Sequence, residues 1–174
     1  AALYLTVFFH LHADVSHQLF AGALAGALAA FLLFNFFPAS IFMGDAGSLF
    51  VGSGLSLLAI QAHGEASNIV SLVAVPACIL LVPILDTPLV TFTRLWRGQP
   101  ISQGGTDHSS HRLVTLGLSE RKAVLLLYAM AALSGATALV VERLSYTLSF
   151  VIVPCVVLFI TLFTAYLAQV EIIP

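Results

Sequence analysis

Charge is the scarcest thing in this sequence. Only 8% of its 174 residues are Asp, Glu, Lys or Arg, while 60% are hydrophobic and mean hydropathy is +1.06. A typical soluble domain carries about 25% charged residues, so the composition excludes an ordinary soluble globule and points to a lipid bilayer. The formal net charge of −2 gives no ground for a nucleic-acid partner, which needs a clustered positive excess. Cysteine is scarce too. Cys78 and Cys155 both sit inside apolar runs, where they read as small hydrophobes, and their spacing gives neither a disulfide frame nor a metal site. The opening apolar run, residues 1–11, is too short to span and follows no cationic segment of the kind a signal peptide has. The chain is therefore expected to be the C-terminal portion of something longer.

What the sequence has in quantity is apolar runs near membrane length. A spanning helix needs about 20 mostly apolar residues at about 1.5 Å rise each. Residues 19–37, 49–62, 69–92, 123–141 and 148–167 approach this, which predicts an all-α polytopic membrane bundle of about five complete spans plus a partial one at the start. The third run contains Pro76, Pro83 and Pro88, so it is expected to be bent or broken. Small residues in "AGALAGALAA", residues 21–30, would let a neighbouring helix come close. A homodimer is left open.

Five of the six basic residues lie in one loop, 94–122. The positive-inside rule puts that loop in the cytoplasm. Counting spans backwards returns the connection 38–48 to the same side, so both polar loops with unusual chemistry share a face. A single membrane domain over 1–174 is expected, with 38–48 and 94–122 as cytoplasmic active-site loops.

Several residues in these loops can carry chemistry. Asp45 lies in "IFMGDAGSLFVG", between glycines that allow close backbone approach, with Ser48 placed to cap the next helix. A carboxylate there suits Mg²⁺ bridging to phosphates, and it suits equally an N-cap at the interface. In "GGTDHSSHR", residues 104–112, Asp107, His108, His111 and Arg112 gather within six positions. Two histidines three apart share a helix face and can contact one ligand, and Arg112 offers a planar fork for phosphate. A solvated, topology-fixing loop would look similar. Asp86, inside an apolar run, should face the bundle interior or a wet cavity, as a functional acid or as a hydrogen-bonded tie between helices. Phe42 can stack on a planar base or anchor the interface. Trp96 fits an interface anchor, and His10, His12, His17 and His63 read as surface residues.

The stretches "FPASIFMGDAGSLFVG" and "PILDTPLVTFTRLWRGQPISQGGTDHSSHRLVTLGLSERKAV" together resemble the polyprenyl-phosphate N-acetylhexosaminyl-1-phosphate transferases. The motifs cover the chain from before Pro38 to about Lys122. The loop reads His-Ser-Ser-His rather than a histidine triplet, so the resemblance is to the branch using N-acetylglucosamine 1-phosphate. It implies an enzyme of the bacterial inner membrane that moves a sugar 1-phosphate from a UDP-N-acetylhexosamine to polyprenyl phosphate, releases UMP, and uses Mg²⁺, or Mn²⁺ in its place. By the same resemblance Asp45 is the metal-binding aspartate and Phe42 stacks on uracil. His108 and His111 contact the nucleotide-sugar phosphates, and Arg112 and Asp107 assist. The family's earlier aspartate pair and its Asn and Asp-Gly nucleotide motif are absent from this chain, which is expected to be inactive alone. The competing reading is a transporter or channel with Asp86 in the pathway; another is a structural subunit whose loop docks a partner.

Overall fold

The computed structural model describes residues 1–64, 69–100 and 107–170, and among them there are eight α-helices and no strand. They are α1 Ala2–Leu11, α2 Val15–Asn35, α3 Gly44–Gly64, α4 Ile69–Ile79, α5 Leu81–Trp96, α6 Ser109–Thr115, α7 Glu120–Arg143 and α8 Tyr146–Ala168. The chain is a multi-pass, all-α membrane bundle. Its outward side chains are apolar, with Leu33, Leu133 and Phe159 more than half exposed, a surface that water would not tolerate at this extent and lipid would. All five expected runs are helical. By length and apolarity α2, α7 and α8 qualify as spans, and Leu72–Ile79 with Leu81–Trp96 qualify together as a pair bent by 76°, which makes up to four among the described residues. Helix α3 has the length, 21 residues, but its glycines and serines dilute its apolarity.

The bend falls where the prolines predicted it. Pro83 is the third residue of α5, in the first turn, where a helix needs no N–H donor and tolerates the ring. A continuous helix through residue 80 would put the Pro83 ring against the carbonyl four residues back, and the chain breaks there instead. The break strips partners from the last carbonyls of α4. The Pro76 carbonyl accepts from the Leu80 N–H at 3.0 Å, and the Cys78 carbonyl accepts from Ser134 Oγ at 2.5 Å. A polar group freed inside an apolar bundle has been given a neighbour's hydroxyl.

The short run 1–11 is a core helix. Leu5, Phe8 and Phe9 of α1 are fully buried and lead a cluster with Ala21, Leu24, Leu58, Val75 and Ala138. Helix α1 lies close to the small residues of α2: a Cβ added at Gly22 would sit in ordinary contact with the Thr6 methyl, at 3.6 Å. The close approach expected there is thus supplied within the chain. Helices α1 and α2 turn tightly through Ala13 (φ 57°), and Asp14 caps α2 by accepting from the His17 N–H at 3.1 Å. Two histidines expected at the surface have partners. The His17 ring pairs with Asp14 at 2.5 Å, and His12 stacks on Phe8 and meets the buried Glu142 at 3.4 Å.

Tyr4 of α1 lies against α7, its hydroxyl donating to the Ala132 carbonyl at 2.7 Å and its ring covering Gly135. A Cβ on Gly135 would come closer to that rigid ring than the two can pack. Gly135→Ala is therefore expected to cost about 1–3 kcal/mol by overpacking, seen as a lower unfolding temperature of the purified protein. An unchanged temperature would mean that the ring swings aside freely.

Candidate active site

Helix α5 builds one wall of the site with a single stripe. Asp86, Leu89, Thr93 and Arg94 fall at i, i+3, i+7 and i+8, the spacing that aligns residues on one helix face. Every one of them meets the segment that begins at Asp107. Arg94 grips Asp107 with a two-pronged fork, Nε to Oδ2 and Nη2 to Oδ1, both 2.5 Å. The fork holds the Asp107 carboxyl below the usual carboxylate range, chiefly by the hydrogen bond from Arg94. Asp86 accepts from the Ser109 N–H at 2.7 Å and meets His108 Nδ1 at 2.6 Å. Leu89 packs in a second buried cluster with Leu113, Ala123 and Leu167, which seats α6 between α5, α7 and α8. Burying a leucine such as Leu113 contributes about 1.5–3 kcal/mol to that seat.

Arg112 completes the clamp. Its side chain is fully buried. Nε donates to the Asp107 carbonyl at 2.9 Å, Nη1 to the carbonyls of Leu167 at 3.0 Å and Val170 at 3.1 Å, and Nη2 to Thr93 Oγ1 at 2.8 Å. A cation over the last carbonyls of α8 also complements that helix's dipole. Burial pushes the guanidinium pKa down from its usual value, and Arg97 adds to this. Arg112 and Asp107 therefore depart from the expectation of substrate contact. Their polar atoms are committed to folding the loop onto α5 and α8, and an anion would have to break those bonds to reach them. The glycine pair 104–105 lies outside the described residues.

The two histidines also part company. His108 precedes α6 as its N-cap residue, with φ −65° and ψ 159°, so it is not on the helix face that the spacing suggested. Its ring goes to Asp86. His111 lies in α6 and lines a cavity of about 370 Å³ together with Phe42, Phe37, Arg121 and Tyr128. This cavity joins the connection after α2, the exposed side of α6 and the start of α7, so the structure brings the two expected loops together. Phe42 is 80% exposed, so one face of its ring is free to take a stacking partner. Arg121 stands over the Phe37 ring at 5.5 Å, a cation–π contact.

The sequence reading did not single out Arg121, which lines this cavity. One signal was present: a cation in the first turn of a helix works against the helix dipole, so Arg121 at the second position of α7 invites a reason other than helix stability.

Asp45 lies just after Phe42, in the first turn of α3, where its charge suits the helix dipole. Gly44 opens the helix at φ +66°, a conformation L side chains rarely adopt, which explains the glycine before the aspartate. Two capping expectations are corrected. Asp45 is inside the helix rather than its N-cap, and Ser48 Oγ donates back to the Asp45 carbonyl at 2.9 Å. The Asp45 side chain is exposed and, among the described residues, has no hydrogen-bond or ionic partner. Among those residues no three His, Cys, Asp or Glu side chains gather to hold a metal. A single open carboxylate fits Mg²⁺ that takes most of its oxygens from phosphate and water, as that ion usually does.

Residues 1–63, which include Phe42 and Asp45, match the family described as glycosyl transferase family 4. The chain is 39% identical over 129 residues to a Bacillus subtilis protein named "Probable undecaprenyl-phosphate N-acetylglucosaminyl 1-phosphate transferase", covering 74% of this chain and 36% of that one. It is 37% identical over 115 residues to the decaprenyl-phosphate N-acetylglucosaminephosphotransferase of Mycolicibacterium smegmatis, covering 60% and 28%. It is 48% identical over 56 residues to a phospho-N-acetylmuramoyl-pentapeptide-transferase of Leptospira biflexa, covering 32% and 15%. The chain thus spans about a third or less of the length of these curated relatives. No solved structure matches it. The resemblance read from the two loop motifs is borne out.

Proposed function

We propose, from this kinship and the cavity, that the chain is part of an enzyme transferring N-acetylglucosamine 1-phosphate from UDP-N-acetylglucosamine to a polyprenyl phosphate. An oxygen of the lipid phosphate attacks the sugar-bearing phosphorus, the bond to the second phosphate breaks, and UMP leaves with the electron pair. The observation that carries the reading is the convergence of Phe42, His111 and Arg121 on one cavity at one end of the bundle. An open aromatic, an imidazole and a guanidinium are the groups a base linked to a diphosphate needs: a stacking face and donors to phosphate oxygens.

In this reading Phe42 takes the uracil and His111 and Arg121 hold the diphosphate. Asp45 binds Mg²⁺, which when bound offsets the charge of the phosphates and of the departing UMP. Two anions must meet, so fixed donors and correct placement supply most of the acceleration. In this reading the polyprenyl chain stays in the hydrocarbon of the bacterial inner membrane while its phosphate reaches residues 38–48 and 94–122 on the cytoplasmic side, an orientation that the basic residues of 94–122 support. The transport reading gains no support, since the relatives are named as transferases and Asp86 is bonded to His108 and Ser109.

The test is transfer of labelled N-acetylglucosamine 1-phosphate to undecaprenyl phosphate by the full-length protein in membranes. Phe42→Ala and His111→Ala are each expected to raise the KM for UDP-N-acetylglucosamine about tenfold, since one stacked base contributes about 1–3 kcal/mol and 1.4 kcal/mol is tenfold. Absence of lipid-linked product with any UDP-N-acetylhexosamine would overturn the reading.

A further inference from the structure

Asp86 sits in the apolar part of α5, where a carboxylate is costly. Helix α6 does not need it for docking: the Arg94 fork, the Arg112 bonds and the buried Leu113 already fasten that helix. What Asp86 adds is specific to one ring. Its Oδ2 is 2.6 Å from His108 Nδ1 while its Oδ1 accepts from the next backbone N–H, of Ser109, at 2.7 Å. One carboxylate thus fixes both the imidazole and the chain that bears it. An ionised carboxylate can only accept, so Nδ1 carries the proton and Nε2 is the nitrogen left for a ligand. The His108 side chain is 53% exposed even with Nδ1 engaged, against 25% for Asp86. The acid is the more covered of the two and the ring the more open.

We infer that Asp86 is a positioning residue for the transfer reaction, acting only through His108. It holds the imidazole in its Nδ1–H form and presents Nε2 to the substrate phosphates. This rests on the transferase reading above and deepens it. A carboxylate behind a working imidazole does the same service for metal-bound histidines, where its loss costs about 10–100-fold.

The experiment is a double-mutant cycle in the full-length protein, read as turnover of UDP-N-acetylglucosamine in membranes. Asp86→Asn keeps an acceptor for the Ser109 N–H but also offers the ring a donor, so kcat should fall about tenfold or more. In a His108→Ala background the same change should cost less than about twofold, because nothing is left to position. An equal loss in both backgrounds would make Asp86 a structural tie only, and no loss in either would dismiss it from the reaction; each outcome overturns the inference. Should Asp86→Asn fail to accumulate, Asp86→Glu, which keeps the charge and moves it by one methylene, carries the same cycle. If Asp45→Asn abolishes transfer while His108→Ala does not, the inference alone falls. If both variants remain fully active, the transferase reading of the site falls with it.

Discussion

Asp45→Asn is expected to reduce turnover of the full-length protein at least about a hundredfold and to leave the amount of folded protein unchanged. The two halves of this expectation have separate grounds. The side chain is exposed and has no partner among the described residues, and surface changes away from caps and pairs stay within about ±0.5 kcal/mol. Asparagine preserves the shape and removes one negative charge and one strong cation-binding oxygen. A divalent ion supplies several kcal/mol of charge stabilisation in phosphate chemistry. Losing about 2.7 kcal/mol of it is already a hundredfold. A metal ligand also leaves a mark that a substrate contact does not: the Mg²⁺ concentration for half-maximal activity should rise in the variant, with part of the loss recovered at high Mg²⁺. Near-normal turnover at ordinary Mg²⁺ would refute the metal role of Asp45.

The general architecture was legible because the signals for it are local. Run length and the absence of charge predict helices wherever lipid must be met, and the three prolines predict the break that falls at Leu80. The pairing of loop 38–48 with loop 94–122 was also legible, through the basic residues that put them on one side, and Phe42 and His111 do share a cavity. Adjacency in sequence misled where roles depend on which helix lies opposite. Asp107, His108, His111 and Arg112 read as one ligand-binding cluster, yet Asp107 and Arg112 turn back onto α5 and α8, His108 is held by Asp86 through Nδ1 alone, and only His111 lines the cavity. Their partners, Arg94, Asp86 and the Leu167 carbonyl, lie 13, 22 and 55 positions away, and no periodicity announces them. The same limit hid α1, whose eleven-residue apolar run reads as a fragment of a span and becomes core only because α2, α3 and α7 close around it.

Arg112→Ala is expected to be the most damaging single change to stability, at about 3–5 kcal/mol. Removing the fully buried guanidinium takes a charged donor from the carbonyls of Asp107, Leu167 and Val170 and from the Thr93 hydroxyl at once, although Leu167 keeps the Val170 N–H at 3.1 Å and Thr93 still donates to the Leu89 carbonyl. A hydrogen bond to a charged group contributes about 1.5–3 kcal/mol, and the emptied volume adds a cavity beneath α6. For a chain of this size 1 kcal/mol corresponds to about 2–4 °C, so thermal unfolding in detergent should shift down by roughly 10 °C. Arg112→Lys should recover only part of this, because an ammonium is a point donor and cannot span α5, α8 and the Asp107 carbonyl as the planar fork does. The pair of variants separates the two roles open to this residue. A clamp predicts falling unfolding temperature in both variants, with the KM for the UDP-sugar little changed in whatever fraction of Arg112→Lys stays folded. A substrate contact predicts normal unfolding and a raised KM. The second pattern would return Arg112 to the binding surface and require α8 to be held against α6 by the Leu113 and Leu167 packing alone.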